Sequence, residues 1–387
     1  MSAYKSRLKE FENLIIEDEI DIKKLRKFIH SGIPECAKYR ALCWKLLFNY
    51  LDPKKKNWES HLERQRNNYN NLIKDLVIPP SCKNVDLSID HPLSDNVDST
   101  WSTYFRDNET FLLQIDRDVR RLLPDISFFQ MPTAYPCKLV VDSETDIRLH
   151  RRVAPSVLSS ANVERKGLGM KKINLIVKRA PENYEAMQKG QEANWEVVER
   201  MLFIYAKLNL GQGYVQGMNE IIGVIYYVFA SNEDHAEFAE ADCFWCFTNI
   251  MSEIRDFFIK TLDETDMGIR GMMNRLVRML ELKDVHVANR LKEQGILPQY
   301  YAFRWISLIL SQEFDLPDVL RLWDSILADE NRFDYLIYVC CAMIILIRDQ
   351  ILENDFEHNV KLLQNFPPMD INYVLNRADQ LAESSST

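Results

Sequence analysis

Apolar side chains recur along most of this chain at intervals of three and four residues, the spacing that places them on one face of an α-helix. Similar series cover residues 37–51, 300–310 and 316–327, whereas the strict alternation typical of β-strands is nearly absent. The clearest series contains Trp195, Val198, Leu202 and Tyr205, and the polar Asn209 continues its 3, 4, 3, 4 spacing. Glycine and proline are sparse inside these segments and cluster between them. The pattern predicts an all-α fold.

Two segments interrupt the helical pattern. Residues 79–99 are rich in proline, serine, asparagine and aspartate, which predicts a long loop. Residues 127–194 are mixed and contain a basic tract from Arg148 to Arg179, in which Glu164 is the single acidic residue. Two hypotheses stay open for this tract: a solvated, flexible insertion, or a segment that contacts an anionic lipid surface or an acidic partner.

Three features of the sequence predict a cytoplasmic protein. The longest apolar run, residues 335–347, is shorter than the roughly 18 apolar residues that a membrane span needs, so we expect a buried core helix. The first twenty residues carry charges throughout and resemble an amphipathic helix rather than a signal peptide. The eight cysteines lie mostly inside apolar helical patterns, which indicates free thiols in a reducing compartment.

Charge and motif content exclude several classes of function. The net charge of -9 over 387 residues is opposite to the basic surface that nucleic-acid binding requires, so we expect no nucleic-acid partner. The sequence contains no phosphate-binding Walker loop, nucleophile elbow or kinase signature set. We therefore expect neither a nucleotide site nor an independent catalytic activity in this chain.

A zinc-like pattern occurs in the middle of the chain. His235-Ala-Glu237 and Cys243-Phe-Trp-Cys246 imitate the H-x-E and C-x-x-C parts of zinc deaminases, which would make the protein a metal-dependent hydrolase. However, no proline precedes Cys243, the two parts are too close to begin separate helices around a metal, and the flanking sequence FWCFTNIM is an apolar helical pattern. We interpret these cysteines as buried thiols and His235 as a surface residue, and expect no metal site.

The segment GQGYVQGMNE, residues 211–220, lies between two strongly apolar helical segments. Glycine allows positive φ angles and close backbone approach, and Gln216 places a neutral hydrogen-bonding group in the middle of the turn. Taken alone, this segment is interpreted either as a plain helix–helix connection or as a turn with a function.

The segment DNETFLLQIDRDVRRLLPD, residues 107–125, predicts a helix of defined length. Asp107 or Asn108 can cap it, and Pro124 discourages continuation beyond residues 121–123. Its predicted buried stripe consists of Leu112, Ile115, Val119 and Leu122. The residues predicted on another face are Gln114, Arg117, Asp118 and Arg121. Asp118 and Arg121 are three residues apart and can form an ion pair, which taken alone is typical of a solvated helix surface.

Together the two segments resemble a known family. Ile115-x-x-Asp118-x-x-Arg121 and Tyr214-x-Gln216 resemble the IxxDxxR and YxQ signatures of the TBC domain, the GTPase-activating module for Rab-family small GTPases. The segments GIPECAKYRALCWKLL, CFTNIM and FDLPDVLRLWDSIL resemble its opening, middle and late parts. HPLSDNVDSTWSTYFRDNE, PDISFFQ, ANWEVVER and LSQEFDLPDV resemble one subgroup of the family. This chain departs from the pattern at Leu122, where threonine is usual, and in the expanded region between the signatures.

The resemblance implies a single TBC domain of two helical subdomains with an inserted basic loop region. It predicts an N-terminal helical extension at residues 1–31 and a domain at residues 32–352, with insertions at about 79–99 and 127–194. Residues 353–387 are predicted to form a C-terminal helical extension with a serine-rich tail.

The resemblance also implies roles for the signature residues. Arg121 and Gln216 would be catalytic groups supplied to a nucleotide bound on another protein. Asp118 would steady Arg121, and Tyr214 would brace the turn. The two flanking glycines that would let the backbone approach the nucleotide are Gly213 and Gly217.

The implied partner is a Rab-family small GTPase in its GTP form. GTP and Mg²⁺ would be held by that partner, so this chain would need no cofactor of its own. The protein would regulate vesicle trafficking from the cytoplasm, at the periphery of endomembranes. The alternative is a catalytically silent TBC scaffold that binds a GTPase or trafficking partner, and the presence of Arg121 and Gln216 favours the active form.

Overall fold

Helices form nearly all the regular structure in the part of the chain that the structure describes. The computed structural model describes residues 3–34, 37–78, 108–142, 147–152, 187–232, 234–258 and 268–384. Within these ranges the only β-type pairing is two isolated bridges, Glu19 with Lys54 and Pro132 with Ala193. The prediction of an all-α fold is therefore confirmed. The predicted loop at residues 79–99 lies outside the described residues.

The α-helices of the described ranges are, in chain order, α1 Ala3–Ile16, α2 Ile22–His30, α3 Ala37–Leu47, α4 Trp58–Leu72, α5 Asn108–Val119, α6 Lys138–Val141, α7 Asn194–Leu208, α8 Met218–Ala230, α9 Ala239–Ile254, α10 Ile269–Lys283, α11 Val285–Glu293, α12 Ala302–Ser307, α13 Leu316–Ala328, α14 Arg332–Leu346, α15 Arg348–Glu353, α16 Phe356–Gln364 and α17 Ile371–Glu383. Short 3-10 helices are Lys55–Asn57, Ser127–Gln130, Leu149–Arg152, Ala236–Phe238, Arg255–Phe258 and Pro298–Tyr300, and Ile73–Val77 is a π-helix.

Aspartate side chains fix where several of these helices begin. Each accepts a hydrogen bond from a backbone N–H of the first turn, which otherwise has no partner inside the helix. The capping aspartates and their donor residues are Asp21 and Lys24, Asp284 and Val287, Asp355 and His358, and Asp370 and Asn372. Each such cap contributes about 1 kcal/mol to stability.

The chain divides into two compact units. The first combines residues 1–65 with residues 220–387, and the second contains residues 66–219. This division agrees with the predicted two helical subdomains. Helices of both predicted extensions, α1 at the N-terminus and α16 and α17 at the C-terminus, belong to the first unit. The predicted domain limits at residues 32 and 352 stay predictions.

The first unit is organised around a buried carboxylate on α13. Asp324 accepts hydrogen bonds from Nε1 of Trp44 at 2.9 Å, from the Arg40 guanidinium at 3.1 Å and from the backbone N–H of Ile33 at 3.2 Å. The Trp44 and Trp323 rings stack with their centroids 5.7 Å apart. Burial raises the pKa of Asp324, and the Arg40 charge opposes this rise. The opening and late segments of the sequence pattern are thus held together by one satisfied polar group.

The apolar run at residues 335–347 lies mainly in α14, which packs against α10, α13 and α17 of the first unit. Cys340 and Cys341 are fully buried there, so the predicted core helix is confirmed. Cys243 and Cys246 are likewise buried in α9, where burial raises the pKa of both thiols. Among the described residues, no set of three His, Cys, Asp or Glu side chains is arranged to hold a metal ion. No helix in the same ranges has the length and apolarity needed to cross a membrane.

The second unit is built around α7. Helix α5 packs along α7, and the short helices Ser127–Gln130, Leu149–Arg152 and Ile73–Val77 pack around it. Nearly every residue of α7 is buried, including charged ones, although periodicity predicted a single buried stripe. Two of these charged residues have partners from other segments, since Glu196 pairs with Arg148 and Arg200 pairs with Glu192. For Glu199, burial raises the pKa well above its ordinary value, which favours the neutral form.

The beginning of the basic tract differs from both hypotheses for it. The guanidinium of Arg148 is buried and donates to Oε1 of Glu196 at 2.7 Å and to Oε2 at 2.9 Å. Arg152 donates to the backbone carbonyls of Val77 and Ile147. Arg148 therefore belongs to the interior of the second unit, where Glu196 compensates its charge, whereas Arg152 is half-buried and is held by backbone carbonyls. Residues 153–179 lie outside the described residues, and lipid contact through them stays a prediction.

Candidate functional site

The helix that precedes Arg121 ends earlier than the sequence predicts. Helix α5 ends at Val119, and the backbone N–H of Arg121 then donates to the carbonyl of Asp118 at 3.1 Å in a tighter turn. Leu123 adopts a positive φ of 40°, and Pro124 follows it. The predicted stripe of Leu112, Ile115, Val119 and Leu122 is buried. Arg121 thus lies on the turn after the helix rather than within the helix.

Arg121 and Asp118 form the predicted ion pair, but its two members lie in different environments. Nη2 of Arg121 is 2.9 Å from Oδ1 of Asp118, and the side chains are 48% and 6% exposed respectively. Nε of Arg121 also donates to the backbone carbonyl of Arg117 at 3.1 Å. The sequence interpretation placed Asp118 on a solvated face, which is wrong. A buried carboxylate holds one side of an exposed guanidinium, so the arginine is oriented yet accessible.

Tyr214 connects this ion pair to the second signature. Its hydroxyl is buried and lies 2.9 Å from Oδ2 of Asp118 and 3.2 Å from Oδ1 of Asn219. Since a phenol carries one proton, this is a three-centre hydrogen bond, donated mainly to the nearer, charged carboxylate. Asp118 therefore accepts from Arg121 with one oxygen and from Tyr214 with the other.

The turn between α7 and α8 carries Gln216. The carbonyl of Asn209 accepts from the backbone N–H of Gly213 at 2.6 Å and of Gln212 at 3.0 Å, which closes the turn. Gly213 and Gly217 have φ angles of 65° and 105°, a region that residues with a Cβ rarely adopt. Gln216 lies between them and is exposed to solvent. The two glycines allow a tight loop that presents the glutamine outward.

The charge of Asp118 depends on its two partners. Burial raises the pKa of this carboxyl, while the hydrogen bond from Tyr214 and then the charge of Arg121 lower it again. The net result is a pKa above the ordinary aspartate value. Acidification therefore removes the charge of Asp118, and with it the ion pair, at a higher pH than for a solvated aspartate.

The neighbouring arginine has a different environment. Arg120 forms an ion pair with the fully buried Asp116 at 2.9 Å, and its guanidinium lies 4.7 Å from the centroid of the Trp195 ring. Burial, followed by the Asp116 charge, raises the pKa of Glu199 on α7 well above its ordinary value. Arg120 is thus part of the contact between α5 and α7, and Arg121 is the one that faces solution.

Replacing Arg120 should lower the free energy of unfolding much more than replacing Arg121. We expect Arg120→Met to lower the free energy of unfolding by about 3 kcal/mol, because it leaves the buried Asp116 charge uncompensated. Arg121→Ala should lower it by only about 1 kcal/mol, because the arginine is half exposed and Asp118 keeps the hydrogen bond from Tyr214. Urea unfolding followed by circular dichroism measures both. Equal losses would contradict the assignment of one arginine to the interior and the other to the surface.

Comparison with known proteins identifies the family. The sequence model of the Rab-GTPase-TBC domain family matches residues 151–352, slightly more than half of the chain. The chain belongs to this family. TBC1 domain family member 13 from Mus musculus is 49% identical over 398 aligned residues, which cover 99% of both chains. The Homo sapiens protein of the same name is 48% identical with the same coverage. The predicted family and subgroup resemblance are thereby confirmed.

A solved structure shares the TBC fold. The crystal structure of the Ypt/Rab-GAP domain of Gyp1p superposes with a TM-score of 0.68 and covers 100% of this chain and 99% of its own. At 22% identity this likeness shows the fold alone. The family match begins at residue 151, after the segment with Asp118 and Arg121, whereas the alignment to the mouse relative spans both signatures.

Within this TBC-family chain, sequence reasoning missed Asn219. It lies in the quoted segment GQGYVQGMNE and contacts Tyr214, yet nothing in its spacing assigned it a partner. One signal was available: a polar residue in the first turn of a helix as apolar as α8 needs a buried hydrogen-bond partner. The identity of that partner required the three-dimensional structure.

Proposed function

We propose that this protein accelerates GTP hydrolysis on a Rab-family small GTPase by supplying Arg121 and Gln216 in trans. The observation that carries the proposal is the hydrogen-bonded chain from Arg121 through Asp118 to Tyr214. It joins two segments whose linked residues are 96 positions apart in sequence. One buried carboxylate therefore contacts both the exposed arginine and the segment that carries the exposed Gln216. The chain belongs to the Rab-GTPase-TBC domain family, which supports the same function.

Arg121 would act on the transferring phosphoryl group. Its guanidinium is always charged and presents a planar fork of N–H donors. Asp118 holds Nη2, and Nη1 has no hydrogen-bond partner among the residues that the structure describes. Inserted beside a bound nucleotide, the exposed donors would neutralise charge that develops on the γ-phosphoryl oxygens. Arginine fingers of this kind contribute about 10³ to 10⁵ in rate.

Gln216 would orient the attacking water. A side-chain amide offers one donor and one acceptor group, which suits a water molecule that must be held in line with the phosphorus. In the usual scheme a glutamine of the GTPase performs this task. The short closed turn with glycines on both sides would allow the backbone to come close to a nucleotide on the partner.

The partner would supply the nucleotide and the metal. GTP and Mg²⁺ would stay on the GTPase in its GTP form, and this chain would bind neither alone. The solved relative that shares the fold is described as a Ypt/Rab-GAP domain, which supports this class of partner. By returning its GTPase to the GDP form, the protein would regulate vesicle trafficking.

A panel assay tests the proposal. GTP hydrolysis is followed for a set of purified Rab-family GTPases with and without this protein, and at least one should hydrolyse GTP faster in its presence. A control that contains this protein and GTP but no GTPase checks that the protein alone hydrolyses no GTP. Binding to a GTPase without any acceleration across the panel would contradict the proposal and would favour the silent TBC scaffold.

The buried carboxylate predicts a pH dependence. Because the pKa of Asp118 is raised, the stimulated rate should fall on acidification at a higher pH than for an ordinary aspartate. Tyr214→Phe removes a hydrogen bond that lowers this pKa, so on acidification the rate of the variant should begin to fall at a higher pH than that of the unchanged protein. Intrinsic hydrolysis by the GTPase at each pH is the control. Identical pH profiles for both proteins would contradict a role for the Tyr214 hydrogen bond.

A further inference from the structure

Asn219 lies where the two signature segments meet. It is the second residue of α8 and is 4% exposed. Its Oδ1 is 3.2 Å from the hydroxyl of Tyr214, and its Nδ2 is 3.4 Å from the backbone carbonyl of Asp118. One amide therefore contacts the side chain of the second signature and the backbone of the first.

We infer that Asn219 is a positioning residue that couples Arg121 and Gln216, the two fingers of the proposed reaction. The inference rests on the proposed function, because it assigns Asn219 to the same site. Its Oδ1 is the second acceptor for the O–H of Tyr214. The two acceptors together restrict the direction of the O–H that donates to Asp118. The donor nitrogen of Asn219 holds the carbonyl of Asp118 itself. Asparagine combines an acceptor and a donor on one short, planar group.

Both fingers are close to Asn219 along the chain of contacts. Arg121 is oriented by the carboxylate of Asp118, whose backbone Asn219 contacts. Gln216 lies on the turn that ends at Gly217, two residues before Asn219. Loss of this amide would remove one of the contacts between the end of α5 and the second signature, so that the two segments could shift relative to each other. A displacement of about 1 Å at a reacting group can cost about 100-fold in rate.

The test is single-turnover GTP hydrolysis on a GTPase that responds to the unchanged protein. For Asn219→Ala we expect the rate at saturating protein to fall between about tenfold and 100-fold. The concentration that gives half of the maximal rate should change little, because the side chain of Asn219 is buried and offers almost no surface to a partner. Asn219→Asp should reduce the saturating rate at least as much as Asn219→Ala. It removes the Nδ2 donor and places a second carboxylate beside Asp118.

Asn194 provides a matched control. It is also 4% exposed, begins helix α7, and donates through Nδ2 to the carbonyls of Phe128 at 3.0 Å and Met131 at 3.2 Å. Asn194→Ala should therefore lose stability like Asn219→Ala but keep the saturating rate. If Asn219→Ala does not fold, Asn219→Ser is compared in its place, with the same reduction expected in the saturating rate.

A double substitution separates positioning from general damage. Adding Asn219→Ala to Arg121→Ala should cause a much smaller further loss than Asn219→Ala alone, because the arginine that it positions is absent. A normal saturating rate for Asn219→Ala, or equal rate losses for Asn219→Ala and Asn194→Ala, would overturn the inference alone. Absence of stimulation by the unchanged protein on every GTPase would overturn the proposed function, and the inference with it.

Discussion

Arg121→Ala should lower the stimulated rate of GTP hydrolysis by about 10³-fold or more while the protein remains folded. The side chain is half exposed, and its ion pair with Asp118 has only one buried member. Its removal therefore costs little stability but deletes the charge proposed to act on the phosphoryl oxygens. Arg121→Lys should restore little of the rate, because an ammonium group lacks the planar fork of donors.

Single-turnover hydrolysis at saturating protein measures this effect without interference from product release. Arg255 supplies a control, since it is an exposed arginine that lies 3.8 Å from an acidic side chain, Asp256, which unlike Asp118 is not buried. Arg255→Ala should keep the full rate. A near-normal rate for Arg121→Ala would refute its assignment as a finger.

Gln216→Ala should abolish stimulation of a Rab whose own catalytic glutamine has been replaced. If Gln216 orients the water in trans, such a GTPase should still respond to the unchanged protein, because the missing group is supplied from outside. Gln130 is an exposed glutamine in the same unit, and Gln130→Ala should leave the response intact. Arg121 and Gln216 act on one transition state, so the double substitution should cost far less than the sum of the two single losses.

This second prediction would be contradicted if a Rab without its own catalytic glutamine failed to respond even to the unchanged protein. The GTPase would in that case orient its own water, and the turn with Gln216 would only help to position the partner.

The sequence predicted the helices and the exposed groups better than the contacts that join them. The stripe on α5 followed from spacing alone, because periodicity records which face of a helix is apolar. The burial of Asp118 did not, since it depends on Tyr214, which lies 96 positions further along the chain. Spacing within one helix contains no information about a partner from a distant segment.

The buried charges of the second unit were missed for the same reason. The sequence pattern assigned Arg148 to a basic tract that was either solvated or in contact with an anionic lipid surface or acidic partner, whereas Arg148 lies inside the unit and pairs with Glu196 of α7. A polar residue is predicted to be exposed unless its partner is known, because an uncompensated buried charge is costly. Similarly, α7 lacks a polar face because Glu196, Glu199 and Arg200 are buried with the apolar side chains.

The most direct test is binding of this protein to a Rab loaded with GDP, with and without aluminium fluoride, which mimics the phosphoryl group in the transition state. A protein that stabilises the transition state in trans should bind at least about 100-fold more tightly when the mimic is present. Arg121→Ala should remove that difference while weak binding remains. Equal affinity with and without aluminium fluoride, or a difference that survives Arg121→Ala, would contradict the assignment of Arg121 as a group that acts on the reacting nucleotide.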